Sequence, residues 1–168
     1  MAWFKSPKSK ILLLLTVLSI GSVAYLGFKT HPPKLTTAPQ WKGVQVGTDS
    51  KEEIIGKLGP PLSATLSAAD SEILNYTSSN QYWPDQVYID SSKNKSHLVR
   101  ERLLHTAPGE LKSYIDKYGS AEAVLFSNDS LPALGFRLYV FPRSGLAISA
   151  DPKQGLVFEV WYFPPTTL

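Results

Sequence analysis

"TDSKEEIIGKLGPP", residues 48–61, and "TAPGELKSYIDKYGS", residues 106–120, are two short helical patterns built to one plan. In the first, Asp49 or Ser50 can cap a helix by accepting a backbone N–H, and Glu52 and Glu53 fall in the first turn, where the helix dipole favours anions. Ile54, Ile55 and Leu58 make one apolar face. Gly59 suits the left-handed conformation past the last turn, and Pro60 forbids continuation. In the second, Pro108 opens the helix, Leu111, Tyr114, Ile115 and Tyr118 make the stripe, and Gly119 stops it. Lys57 and Lys117, Ile55 and Ile115, and Gly59 and Gly119 are each 60 positions apart.

The segments after the two helices also match. "EILNYT", "QVYID" and "HLVRERLL" come after the first, "GFRLYVF", "GLAIS" and "GLVFEVWYF" after the second, all alternating with the two-residue period of a strand. At an offset of 59, Val87 meets Leu146, Ile89 meets Ile148, Val99 meets Phe158 and Arg100 meets Glu159. The expectation is an α+β fold: two helix-plus-β-meander repeats, at about 44–105 and 106–163, forming one antiparallel sheet with both helices on one face.

The segment "VGTDSKEEIIGKLGPP" resembles the signature of SmpA/OmlA (BamE-like) envelope domains, and its duplication is similar to the tandem arrangement of beta-lactamase-inhibitory protein. The resemblance implies a non-catalytic, envelope-located protein-binding module.

The first forty residues set the expected location. Lys5, Lys8 and Lys10 lie in a basic segment, 1–10, before the uncharged apolar run 11–28, which at ~1.5 Å per residue is long enough to span a bilayer's hydrocarbon as a helix. The positive-inside bias keeps the N-terminus cytoplasmic and sends the rest across. Cleavage after Ser22-Val23-Ala24, giving a secreted chain, is the alternative. Residues 29–40, "KTHPPKLTTAPQ", read as a proline-stiffened linker to an extracytoplasmic domain at 41–168. Lys29 and Lys34 lie in that linker, so the domain retains 12 basic against 14 acidic residues. The chain's excess of positive charge is therefore a topology signal and not a nucleic-acid footprint. The chain has no cysteine, which excludes disulfides, thiolate metal sites and an acylated-cysteine anchor.

The residues offer little catalytic chemistry. His31, His97 and His105 are scattered, no metal-ligand spacing or nucleotide-binding motif occurs, and His97 with Glu101 reads as a solvated strand edge. No cofactor is expected and an enzyme is not. In the last strand Leu156, Phe158, Val160 and Tyr162 suit the helices, as do Phe136, Leu138 and Val140. That leaves Arg137, Tyr139, Glu159 and Trp161 on the opposite face, extended by Tyr82, Trp83 and Tyr88, with Arg100 and Arg102 beside them. Aromatic side chains mixed with arginine are the composition of an interface core, and an envelope or membrane protein is the expected partner. A small ligand or glycan stacked on Tyr82, Trp83 and Trp161 is the second reading.

Overall fold

Apolar and polar residues alternate through most of the chain after Gln40, and that period builds sheet. The computed structural model describes residues 39–67, 70–104, 109–126 and 135–166. A small hairpin, β1 (Gln40–Trp41) and β2 (Val44–Gln45), precedes helix α1 (Lys51–Leu58) and strands β3 (Ser63–Leu66), β4 (Ser71–Tyr76), β5 (Asp85–Asp90) and β6 (Lys95–Arg102). Helix α2 (Glu110–Tyr118) then leads into β7 (Ala123–Phe126), β8 (Arg137–Phe141), a 3₁₀ turn (Pro142–Ser144), β9 (Leu146–Ala150) and β10 (Val157–Tyr162). Strands β3 to β10 form one antiparallel sheet in the order β3-β4-β5-β6-β10-β9-β8-β7.

The α+β expectation is thereby corrected. The molecule is mostly one large antiparallel sheet, and its two helices have only eight and nine residues, each with a single fully buried side chain, Ile54 and Leu111. Each helix is succeeded by four strands and not three, because β3 and β7 were not legible as strands. Among the described residues no helix is long and apolar enough to cross a membrane. The expected anchor 11–28, the basic segment 1–10 and all but the end of the linker lie outside them, as do His31, His105 and Pro108.

The strand order reads the same from both edges, so a two-fold relation runs between β6 and β10. Val87 pairs with Val99 in one half and Ile148 with Val160 in the other, 61 positions on in each case. The ladders also slip at matching places, at His97 in β6 and at Phe158 in β10, again 61 apart. An extra residue opposite one partner is a β-bulge, and it shifts the phase of every side chain beyond it.

The core lies on one face of the sheet, under the helices. Trp41, Val44, Ile54, Leu74, Val87 and Val99 pack in the first half, and Leu111, Phe141, Leu146, Ile148, Val157 and Val160 in the second. Tyr162 packs against both clusters, and its hydroxyl donates to Glu101 Oε2 at 2.7 Å. Burial, with the adjacent Glu101 charge, pushes the Tyr162 hydroxyl pKa far up, so it stays a donor.

The helix stops have the same design in both halves, though not the one expected. Gly59 and Gly119 have φ of 83° and 86° but extended ψ of −177° and −170°, outside the left-handed helical region. Positive φ with extended ψ is accessible essentially to glycine alone, which is why that residue sits there. Each glycine N–H closes its helix on the carbonyl four residues back, Ile55 or Ile115, and at the first stop Pro60 comes next.

Candidate functional site

Cross-strand partners share a face, so the ladder decides which side chains lie away from the helices. One row runs Ser63, Asn75, Gln86, Arg100, Trp161, Ala147, Val140 and Ala123 across all eight strands. Beside it, Arg102 of β6 and Glu159, Ser149 and Leu138 of the second half form the next row. The face away from the helices is thus polar over the first half and mixed over the second, where the small side chains of Ala147 and Ser149 are themselves buried.

Its centre is a charged and aromatic network at the two-fold. Arg100 and Trp161 occupy equivalent positions in the two halves and pair across β6 and β10, with the guanidinium 4.8 Å from the ring centroid. The Glu159 carboxylate accepts from Arg100 Nη2 at 3.0 Å, from Arg102 Nη1, and from Trp161 Nε1 at 2.7 Å. Arg102 in turn lies over the Trp83 ring, 5.9 Å from its centroid. All three charged side chains are largely buried, at 11%, 19% and 14% exposure for Arg100, Arg102 and Glu159. One carboxylate thus sits between two guanidiniums, leaving an excess of one positive charge in a poorly hydrated place.

The two arginines respond differently. Burial opposes the Arg100 charge, but the Glu159 charge and the side-chain bonds that Arg100 donates to Tyr88 and Glu159 outweigh it, and its pKa stands above the ordinary value. For Arg102 burial is the largest effect, and with repulsion from Arg100 it prevails over Glu159, so its pKa is lowered. Both stay charged at neutral pH.

The other expected residues divide. Tyr88 lies on the open face, its hydroxyl donating to Gln86 Oε1 at 3.1 Å and its ring edge-on to His97. Tyr82 and Trp83 stand out from the 77–84 loop with 73% and 60% of their surface exposed. Tyr139 and Arg137 do not belong to this face: they pair with Ile148 and Ala150, both core residues, and Tyr139 packs with the second cluster. The phase of β8 is the reverse of that expected, and Leu138 and Val140 take the open side. Its residues are apolar at nearly every position, so alternation carried no phase information. In β10 the bulge puts Val157 in the core and turns Phe158 out against Phe136, ring centroids 4.2 Å apart. His97 and Glu101 are likewise parted by the β6 bulge, Glu101 bonding to Tyr162.

Among the described residues no group of three or more His, Asp or Glu is placed to hold a metal ion. Sequence reasoning missed the amide row. Asn75 Nδ2 donates to Ser63 Oγ at 3.0 Å and Gln86 Nε2 donates to Asn75 Oδ1 at 3.2 Å, a chain across three strands that only the register brings together.

No protein-family model matches the chain, and no curated protein matches it. Among solved structures, a DUF4309 family protein (YjgB) from Bacillus subtilis is similar at 13% identity, over 74% of this chain and 85% of that one, with a TM-score of 0.47. A likeness that distant carries no argument about what the chain does.

Proposed function

We propose that this chain is a non-catalytic recognition module of the cell envelope, tethered through its N-terminal apolar segment, and that the open face of its sheet binds another protein. The observation that carries the reading is the Glu159 carboxylate held by Arg100, Arg102 and Trp161. It fixes two guanidiniums and an indole in one rigid cluster on the face turned away from the core. Arginine and tryptophan held rigid at the centre of a patch are what binding hot spots are made of, because little side-chain freedom remains to be lost on association. Half-buried Tyr88, Leu138 and Val140 flank the cluster, and Trp83 continues it at the rim. The surplus positive charge favours a partner that brings a carboxylate. The lysine-flanked apolar run and the SmpA/OmlA-like segment support the envelope location.

The test is photo-crosslinking in intact cells, with the photoreactive residue placed at position 161, at 88, or at Lys112 on the exposed side of α2. One discrete adduct from 161 and 88, absent from 112 and identified by mass spectrometry as an envelope protein, is the expected outcome. Equal labelling from all three positions, or none from 161 and 88, overturns the reading.

A further inference from the structure

Beside the network, where the β3 and β4 strands meet the 77–84 loop, lies a groove of about 340 Å³, at the small end of the range for small-molecule sites. Its walls are Leu62, Tyr82 and Trp83, and its polar lining includes Ser63, Asn75 and Asn80. No lysine, arginine, aspartate or glutamate lines it. We infer that this groove binds a neutral saccharide, a terminal pyranose ring or two of a longer glycan.

Three observations converge on that chemistry. The first is that two adjacent large aromatics are held mostly in solvent by a loop that has been made stiff. Asn80 Oδ1 accepts from the Tyr82 N–H at 2.9 Å, Ser78 Oγ accepts from the Asn80 N–H at 3.0 Å, and the hydroxyls of Ser78 and Ser79 both donate to the Arg102 carbonyl. A flexible loop would fold such rings onto the nearest apolar surface; this one presents them, and the ordering cost is met before a ligand arrives.

The second is the amide row. Asn75 gives one N–H to Ser63 and accepts one from Gln86, which leaves it a second N–H and further acceptor capacity, and the Ser63 hydroxyl has its own proton to donate. Ring hydroxyls, each a donor and an acceptor, are the complement of such groups, while an aliphatic ligand would strip them of water and offer nothing in exchange.

The third is charge. The uncharged lining gives an anion no counter-ion, and Arg102 is already committed to Glu159 and to the Trp83 ring. A pyranose has an apolar C–H face to lie on an indole or phenol ring and hydroxyls around its rim, so it meets both halves of the lining at once. The groove shares only Trp83 with the network at the two-fold, and this inference does not rest on the protein-binding reading.

The experiment is an array of neutral and anionic oligosaccharides probed with the full chain in a detergent that carries no sugar headgroup. Neutral glycans should be retained selectively, with binding weakened about tenfold or more by Trp83→Ala, by Tyr82→Ala and by Asn75→Asp, partly restored in Trp83→Phe, and unchanged in Leu125→Ser at the opposite sheet edge. Far-ultraviolet dichroism and a thermal melt establish that each variant is folded. Retention of anionic glycans alone, of no glycan by the folded wild-type chain, or of neutral glycans equally by Trp83→Ala overturns the inference.

Discussion

The two halves set a helix N-terminus against the hairpin of their last two strands with different chemistry. In the first half the contact is made by side chains. Ser50 Oγ accepts the Glu53 N–H while the Glu53 carboxylate takes the Ser50 N–H, a reciprocal capping box, and Asp49 accepts from the Gln45 N–H at 2.7 Å and from Lys57 Nζ at 2.6 Å. The hairpin is joined through a bridge between Ser50 and Lys95 and by the Ser96 N–H on the Asp49 carbonyl. In the second half backbone does the same work. The Gly109 N–H donates to the Gln154 carbonyl and the Leu111 N–H to that of Gly155, with no side-chain cap. A Cβ on Gly155 would stand 3.1 Å from Gly109 Cα, so close an approach needs glycine. The first half joins helix to hairpin with polar side chains; the second joins them by backbone and shape.

Breaking the cores should expose that difference most strongly. Ile54 is fully buried, whereas Ile115, the counterpart of Ile55, is half-buried. Ile54→Ala is expected to cost about 3–4 kcal/mol in chemical denaturation and Ile115→Ala about 1–2 kcal/mol. Equal losses would mean that the halves share one core. A nearly comparable loss, about 3 kcal/mol, is expected for Gly145→Ala in the second half. Its φ is +64° and a Cβ would lie 2.2 Å from the Phe163 carbonyl oxygen, whereas Gly59, also at positive φ, has open space around it and should lose only the backbone strain, about 1–2 kcal/mol, on the same change. A Gly145→Ala melt no lower than that of Gly59→Ala would show that the C-terminal strap is not packed as described.

Acid should sharpen the contrast further, with a smaller effect. Burial pushes the Asp49 carboxyl up, but the Lys57 bond, the Gln45 N–H and the Lys57 charge outweigh it, and its pKa is held below the ordinary value. A carboxyl depressed in the folded state contributes stability that is present above the unfolded value, near 4, and is lost as pH falls through the folded one. Asp49→Asn should therefore flatten the acid limb of a stability profile below about pH 4. An unchanged limb would mean that this cap contributes nothing.

The halves also differ in the connection that carries binding chemistry. Residues 142–145 turn tightly between β8 and β9, while the equivalent connection between β4 and β5 runs from 77 to 84 and bears Tyr82 and Trp83. That two adjacent aromatics sit between strands was legible in the sequence; their exposure and the groove beneath them were not. The helix ends were legible too, because Gly59-Pro60 and Gly119 are local stops, although the extended ψ at both glycines was not. Strands β3 and β7 escaped because edge strands without a buried face show no alternation, as Ser63 to Leu66, all exposed, illustrate. The bulges at His97 and Phe158 leave no mark in composition, and one misplaced phase moved Tyr139 and Arg137 to the wrong face. Fold class was not legible for a related reason: short helices carry local stop residues, whereas the pairing of eight strands is set by register, which no local residue marks.

The Arg100–Trp161 pair at the two-fold belongs to a surface and not to the core, and the thermal melt of Trp161→Ala is the decisive test. Trp161 is half-buried, donates to Glu159 and stacks on Arg100, so its removal should lower stability by about 1 kcal/mol. A melt within a few degrees of wild type is the predicted result. A loss of about 3–5 kcal/mol, as for a buried core tryptophan, would place Trp161 in the core.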